Sequence, residues 1–313
     1  MRKVIILGML ILITALIGCN KGPNENSNNE VRTGPYLGYA SPGTTPQVFA
    51  PGIISTEELE ANFVAYPGGN ELYFVKYEPI GNQLKGTIYS IKSENGEWGE
   101  PEAVSFSGTY EDGYLAIHPD GSRMYWQSNR PVDQAESSYT WNIWYVDRNG
   151  DGWSEPNSMG QPINGRNHTS GPSVTMDGTM YFTLFTIGGV QEIYRSEYIS
   201  GEYQEPERLP DNINSARQQF DSYISPDESY LIFGSWERSD SIGNTDLYIS
   251  FKDDNDNWTQ AVNMGAVINT TIGEGSATVS PDGQYIFYSR YNNAQQMNLD
   301  IYWVESEYVN GLR

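Results

Sequence analysis

A short turn recurs five times along the chain at intervals of about fifty residues. Its cores are Pro67-Gly68-Gly69, Pro119-Asp120-Gly121, Met176-Asp177-Gly178, Pro226-Asp227-Glu228 and Pro281-Asp282-Gly283. Each has a cause in backbone chemistry: proline presets φ, aspartate bonds the local backbone, and glycine accepts the positive φ that returns the chain into a twisted hairpin. A period of this length marks stacked supersecondary units, and units of several short strands at this spacing predict a β-propeller.

The strands follow the turns in a fixed order. Second strands are Leu72-Tyr73-Phe74-Val75, Met124-Tyr125-Trp126, Met180-Tyr181-Phe182, Leu231-Ile232-Phe233 and Ile286-Phe287-Tyr288. Their apolar runs suit strands covered on both faces. Third strands read Ile88-Tyr89, Ile143-Trp144-Tyr145, Ile193-Tyr194, Leu247-Tyr248 and Ile301-Tyr302-Trp303. In four units a polar turn and an aromatic (Trp98, Trp153, Tyr203, Trp258) then lead to an outer fourth strand. The fifth unit ends without one, and residues 47–54 resemble the fourth-strand segment 261–268. The expectation is an all-β, five-bladed propeller closed by an N-terminal strand that completes the last blade, leaving no open edge.

This pattern, over about residues 46–306, resembles the Pro-Asp type of WD40-like repeat found in TolB-like propellers and in exported bacterial lipoproteins. The resemblance implies a cell-envelope binding scaffold and names no partner. TolB-type proteins also carry an N-terminal α/β domain, and none is expected here.

Residues 1–19 read as an export signal: Arg2 and Lys3, an apolar run from Val4 to Ile17, then Leu16-Ile17-Gly18-Cys19. That ending resembles a lipobox, which implies cleavage before Cys19 and its lipidation. An uncleaved anchor or a buried thiol are the alternatives, but the run is shorter than the roughly 20 residues of a spanning helix. Residues 20–34 are polar and asparagine-rich and read as a flexible tether, with the propeller domain at 35–313. The expected location is the bacterial envelope, lipid-anchored at the outer membrane or a periplasmic face. The whole chain carries 18 basic and 40 acidic residues, a net charge of −22. Such a balance argues against nucleic acid and against direct attraction to anionic lipid, and it favours a soluble monomer.

Recognisable catalytic motifs are absent. Two histidines, His118 and His168, exclude HExxH zinc sites and disfavour histidine triads. His118 precedes a turn, where Tyr66, Thr175, Ser225 and Ser280 stand in the other units, and reads as structural. His168 opens the third unit beside Arg166 and Asn167, where it serves either as structure or as a ligand contact. There is no Gly-x-Ser-x-Gly elbow and no phosphate-binding glycine loop. Residues 147–152 match the opening of a calcium loop, but Ser158 stands where the closing glutamate belongs, and equivalent turns elsewhere mark an ordinary strand connection. No cofactor is expected.

Aligning the first strands on their turns gives the candidate site. Seven residues before the turn stand Glu60, Asp112, Thr169, Gln219 and Glu274; five before it stand Asn62, Tyr114, Gly171, Asp221 and Ser276. Residues of one parity share a side of a strand, so Glu60, Asp112, Asp221 and Glu274 are expected around a central funnel, with His168 near its mouth. These carboxylates admit three roles: bonding neighbouring blades, binding a cation or polar ligand, or catalysis. Tyr77, Trp236, Tyr291 and Tyr139, with Arg130, Arg238 and Arg290, are expected in loops that form a contact rim. The leading expectation is a non-enzymatic scaffold for an envelope protein or glycan. A carbohydrate-active hydrolase or lyase using funnel carboxylates is the alternative, and a purely structural envelope component the third.

Overall fold

The computed structural model describes residues 31–81, 83–132, 140–165, 168–186, 188–236, 238–291 and 298–313. The expectations for the signal, for Cys19, for the tether up to residue 30 and for Tyr139, Arg166 and Asn167 lie outside the described residues.

Residues 32–313 form one compact unit, nearly all β. An antiparallel triplet of strands repeats through it. The first is Leu59–Ala65, Glu71–Ile80 and Gln83–Glu94; the second is Asp112–Ile117, Arg123–Ser128 and Asn142–Asn149. The third is Thr169–Val174, Met180–Thr186 and Val190–Ser196, and the fourth is Gln218–Ile224, Tyr230–Trp236 and Thr245–Phe251. Glu274–Val279, Tyr285–Tyr291 and Leu299–Glu305 make the last. Short outer strands pair with four of these third strands at Glu102–Ala103, Asn157–Ser158, Glu207–Arg208 and Val262–Asn263.

The turn chemistry operates as the sequence predicts. In each turn the third residue donates its N–H to the carbonyl of the residue before the turn: Gly69 to Tyr66, Gly121 to His118, Gly178 to Thr175, Glu228 to Ser225 and Gly283 to Ser280. All five donors have positive φ. The aspartates accept from the backbone two residues on, as in Ser122 N to Asp120 Oδ1 at 2.8 Å and Gln284 N to Asp282 Oδ1 at 3.0 Å.

The last triplet takes its outer strand from the other end of the chain. Gln47 and Val48 pair with Trp303 and Tyr302, and Phe49 N donates to Ile301 O at 2.8 Å. Phe49 is fully buried against Phe63, Phe287 and Trp303, with ring centroids 4.9, 5.1 and 5.1 Å away. Pairing also begins earlier than expected. Arg32–Thr33 lies beside Glu97–Trp98, and Trp98 Nε1 donates to Gly34 O at 2.7 Å. Backbone pairing needs no apolar periodicity, so residues 32–34 carried no sign of it.

Hydrophobic clusters lie between successive sheets. Tyr73, Val75, Trp126 and Val146 join the first two triplets, and Ile232, Ile249, Ile286 and Val304 join the last two. Ion pairs join sheets as well. Arg148 makes a two-pronged pair with the buried Glu71, Nη1 to Oε2 at 3.0 Å and Nη2 to Oε1 at 2.5 Å, while Tyr73 donates to the same carboxylate.

Candidate functional site

Every first strand carries a bulge at the same place. The register shifts between Ala61 and Val64, Gly113 and Ala116, Ser170 and Ser173, Phe220 and Tyr223, and Gly275 and Thr278. Within each bulge one residue has positive φ: Asn62 (49°), Tyr114 (45°), Gly171 (55°), Asp221 (52°) and Ser276 (51°). A bulge adds a residue and turns the side chains beyond it, so the parity argument that grouped positions seven and five before the turn does not hold across it.

The two positions therefore do different work. All five residues seven before the turn are buried. Glu60 accepts from Thr56 N (3.0 Å) and Thr56 Oγ1 (2.5 Å); Glu274 repeats this with Thr270 N (2.9 Å) and Thr270 Oγ1 (2.7 Å) and accepts from Arg290 Nε at 3.0 Å. Asp112 accepts from Ser107 Oγ at 2.7 Å and Trp126 Nε1 at 3.0 Å. Burial raises all three carboxyls above their ordinary values, and these donors oppose the rise. They pin the segment entering each sheet. Glu60 and Asp112 do not line the shared cavity, which is a correction to the expected gathering of four carboxylates.

That cavity has a volume of about 490 Å³ and is lined by first strands of every triplet, from Leu59, Tyr114, Ser170, Asp221 and Glu274 among others. Asp221 is its central acid. Only 8% exposed, it accepts from Ser276 Oγ at 3.0 Å and from the hydroxyl of Tyr114, two triplets away in sequence. Burial pushes its carboxyl up to about 7, against which Ser276 and Tyr114 pull. The negative charge of Asp221, together with burial, holds the Tyr114 phenol well above its usual range; burial and then Asp221 also raise Tyr77 and Tyr291. Asp221, Tyr114 and Ser276 also line a second cavity of about 30 Å³, so they stand between the two spaces.

Sequence reasoning missed Glu111 as a site residue. It lies one position before Asp112, lines the cavity, and is raised by burial while accepting from the Trp141 side chain. Tyr77 and Tyr291 were expected in rim loops; both lie in second strands and face the cavity. Trp236 ends a second strand, half exposed. Arg290 is likewise in a strand, bound to Glu274. His168 stands behind the wall: its Nδ1 accepts from Trp141 N at 3.0 Å, and its ring abuts Trp141 and Phe185, which line the cavity. His118 Nδ1 accepts from Asp120 N at 3.3 Å within its turn. Asp147, in the stretch that matches the opening of a calcium loop, accepts from Arg123 Nε at 2.7 Å. Among the described residues no group of three or more His, Cys, Asp or Glu side chains is arranged to hold a metal.

No family model matches the chain, and no curated protein does. Solved structures do. A protein described as TolB from Agrobacterium tumefaciens superposes with a TM-score of 0.50 at 16% identity, covering 79% of this chain and 77% of its own. A glycoside hydrolase gives 0.57 at 15% identity, covering 87% and 92%. The native arabinanase of Bacillus subtilis gives 0.50 at 9% identity, covering 80% and 95%. At these identities the likeness establishes the fold, which is of the propeller type.

Proposed function

We propose that this protein is a five-bladed propeller, closed by residues 47–48, that is held on the bacterial envelope by a lipidated Cys19 and binds a glycan in its shared cavity without altering it. One observation carries the binding role: a single cavity, reached by the first strand of every triplet, presents ring faces, side-chain amides and carboxylates together. Rings stack on the apolar faces of sugars, and amides and carboxylates bond their hydroxyls. Closure is supported by the pairing of Gln47 and Val48 with Tyr302 and Trp303 and by Thr278 Oγ1 donating to Phe63 O at 2.5 Å. The envelope setting rests on the lipobox and on the likeness to TolB. No helix among the described residues is long and apolar enough to cross a membrane.

Hydrolysis is the second reading, favoured by one observation. Asp221 titrates near neutrality, as a general acid should, and Glu111 supplies a second carboxylate in the same cavity. Two of the three superposed structures named above are hydrolases of glycans by their descriptions. Titrating the full-length protein in mild detergent with a panel of polysaccharides, while assaying new reducing ends, separates the two. Binding without new ends supports the scaffold; turnover abolished by Asp221→Asn or Glu111→Gln makes the protein a hydrolase. Absence of any binding removes both. The anchor is tested apart from these, since Cys19→Ser should move the protein from the membrane fraction to the soluble one.

A further inference from the structure

Asp221 and Glu111 are held by neutral donors: Ser276 and Tyr114 for the first, Trp141 for the second. Among the described residues neither joins an ion pair, whereas Glu274 in the same wall has Arg290 at 3.0 Å. No Lys, Arg or His among the described residues lines the cavity. The walls around the two acids are aromatic, from Tyr77, Tyr114, Tyr291 and Trp141. The protein's own cations stand over other rings, such as Arg148 over Tyr66 at 4.6 Å and Arg290 over Tyr302 at 4.4 Å. Gln127, another lining residue, is 3% exposed and its Oε1 has no hydrogen-bond partner among the described residues. Among the described residues the cavity thus holds acceptors and ring faces in excess and no positive charge.

Such a set is matched to an organic cation. Ring faces attract ammonium groups, the attraction grows when water is excluded, and a buried carboxylate without a counter-charge is costly. We propose that the cavity selects a ligand bearing an ammonium group, in this setting a glycan with a free amino sugar; the inference rests on reading the cavity as the glycan site. The ammonium group would sit among the tyrosines beside Asp221, with Glu111 and the Gln127 carbonyl as further acceptors. An acidic sugar would meet two carboxylates and be rejected. Because burial holds Asp221 near 7, a bound cation would also expel its proton.

The test is calorimetric titration of the full-length protein in mild detergent, at about pH 7, with a glucosamine disaccharide and with its N-acetylated counterpart. The amine form should bind at least about tenfold more tightly, weaken with added salt, and release protons, seen as a heat that depends on the buffer. Asp221→Asn and Glu111→Gln should each erase most of that preference. Equal affinity for the two disaccharides, or preference for the acetylated one, overturns the inference and leaves glycan binding standing. Binding of neither also overturns it, and the polysaccharide panel then decides whether the glycan reading fails too.

Discussion

Asp221 occupies a left-handed conformation that few residues adopt without strain, and aspartate and asparagine are among the few that do. Gly171, at the equivalent position, has no such choice: a β-carbon there would lie 3.1 Å from the Asp221 Cα. Asp221→Asn should therefore keep the backbone and change only the charge. With its carboxyl raised from 3.8 to about 7, Asp221 binds its proton more tightly in the folded protein than in the unfolded chain. Its contribution to stability is then fullest below pH 3.8 and declines as pH rises to about 7. The variant should lack that decline, so its melting temperature should gain on the wild type between about pH 4 and 7 and the gap should level off above. A gap independent of pH would mean that the carboxyl titrates at its ordinary value in water.

The elements carry their information unevenly. Turns and second strands were legible because proline, aspartate, glycine and runs of buried aromatics each have a local cause. The bulges were not, since Tyr114 and Ser276 give no sequence sign of positive φ, and Asn62, Gly171 and Asp221, residues that tolerate it, hint at it only once the five strands are compared. Missing the bulge placed Glu60 and Asp112 in the cavity and left Glu111 out. Sheet-to-sheet pairing was equally hidden, because nothing in Arg148 or Glu71 alone names the partner. Glu71 illustrates the energetics: burial would raise its carboxyl, but Arg148 and Tyr73 hold it below its ordinary value. Arg148→Met should cost about 3 kcal/mol in urea unfolding by stranding a buried charge. Adding Glu71→Gln should recover a good part of that loss. A single variant as stable as the wild type would show that water, not Arg148, solvates Glu71.

At the scale of the whole molecule, residues 47–48 and 302–303, far apart in sequence, meet in one sheet, with Phe49 as the plug. Phe49→Ala should destabilise by about 3–5 kcal/mol and should lower the single unfolding midpoint without splitting it. A second, separate transition would mean that the last triplet melts independently of its outer strand. The join has a further consequence in time. Residue 47 leaves the ribosome long before residue 303 exists, so the pairing that completes the last sheet is among the final contacts a growing chain can make. Until then the strand at residues 47–48 has no partner, and its backbone groups stay open to pairing with another chain.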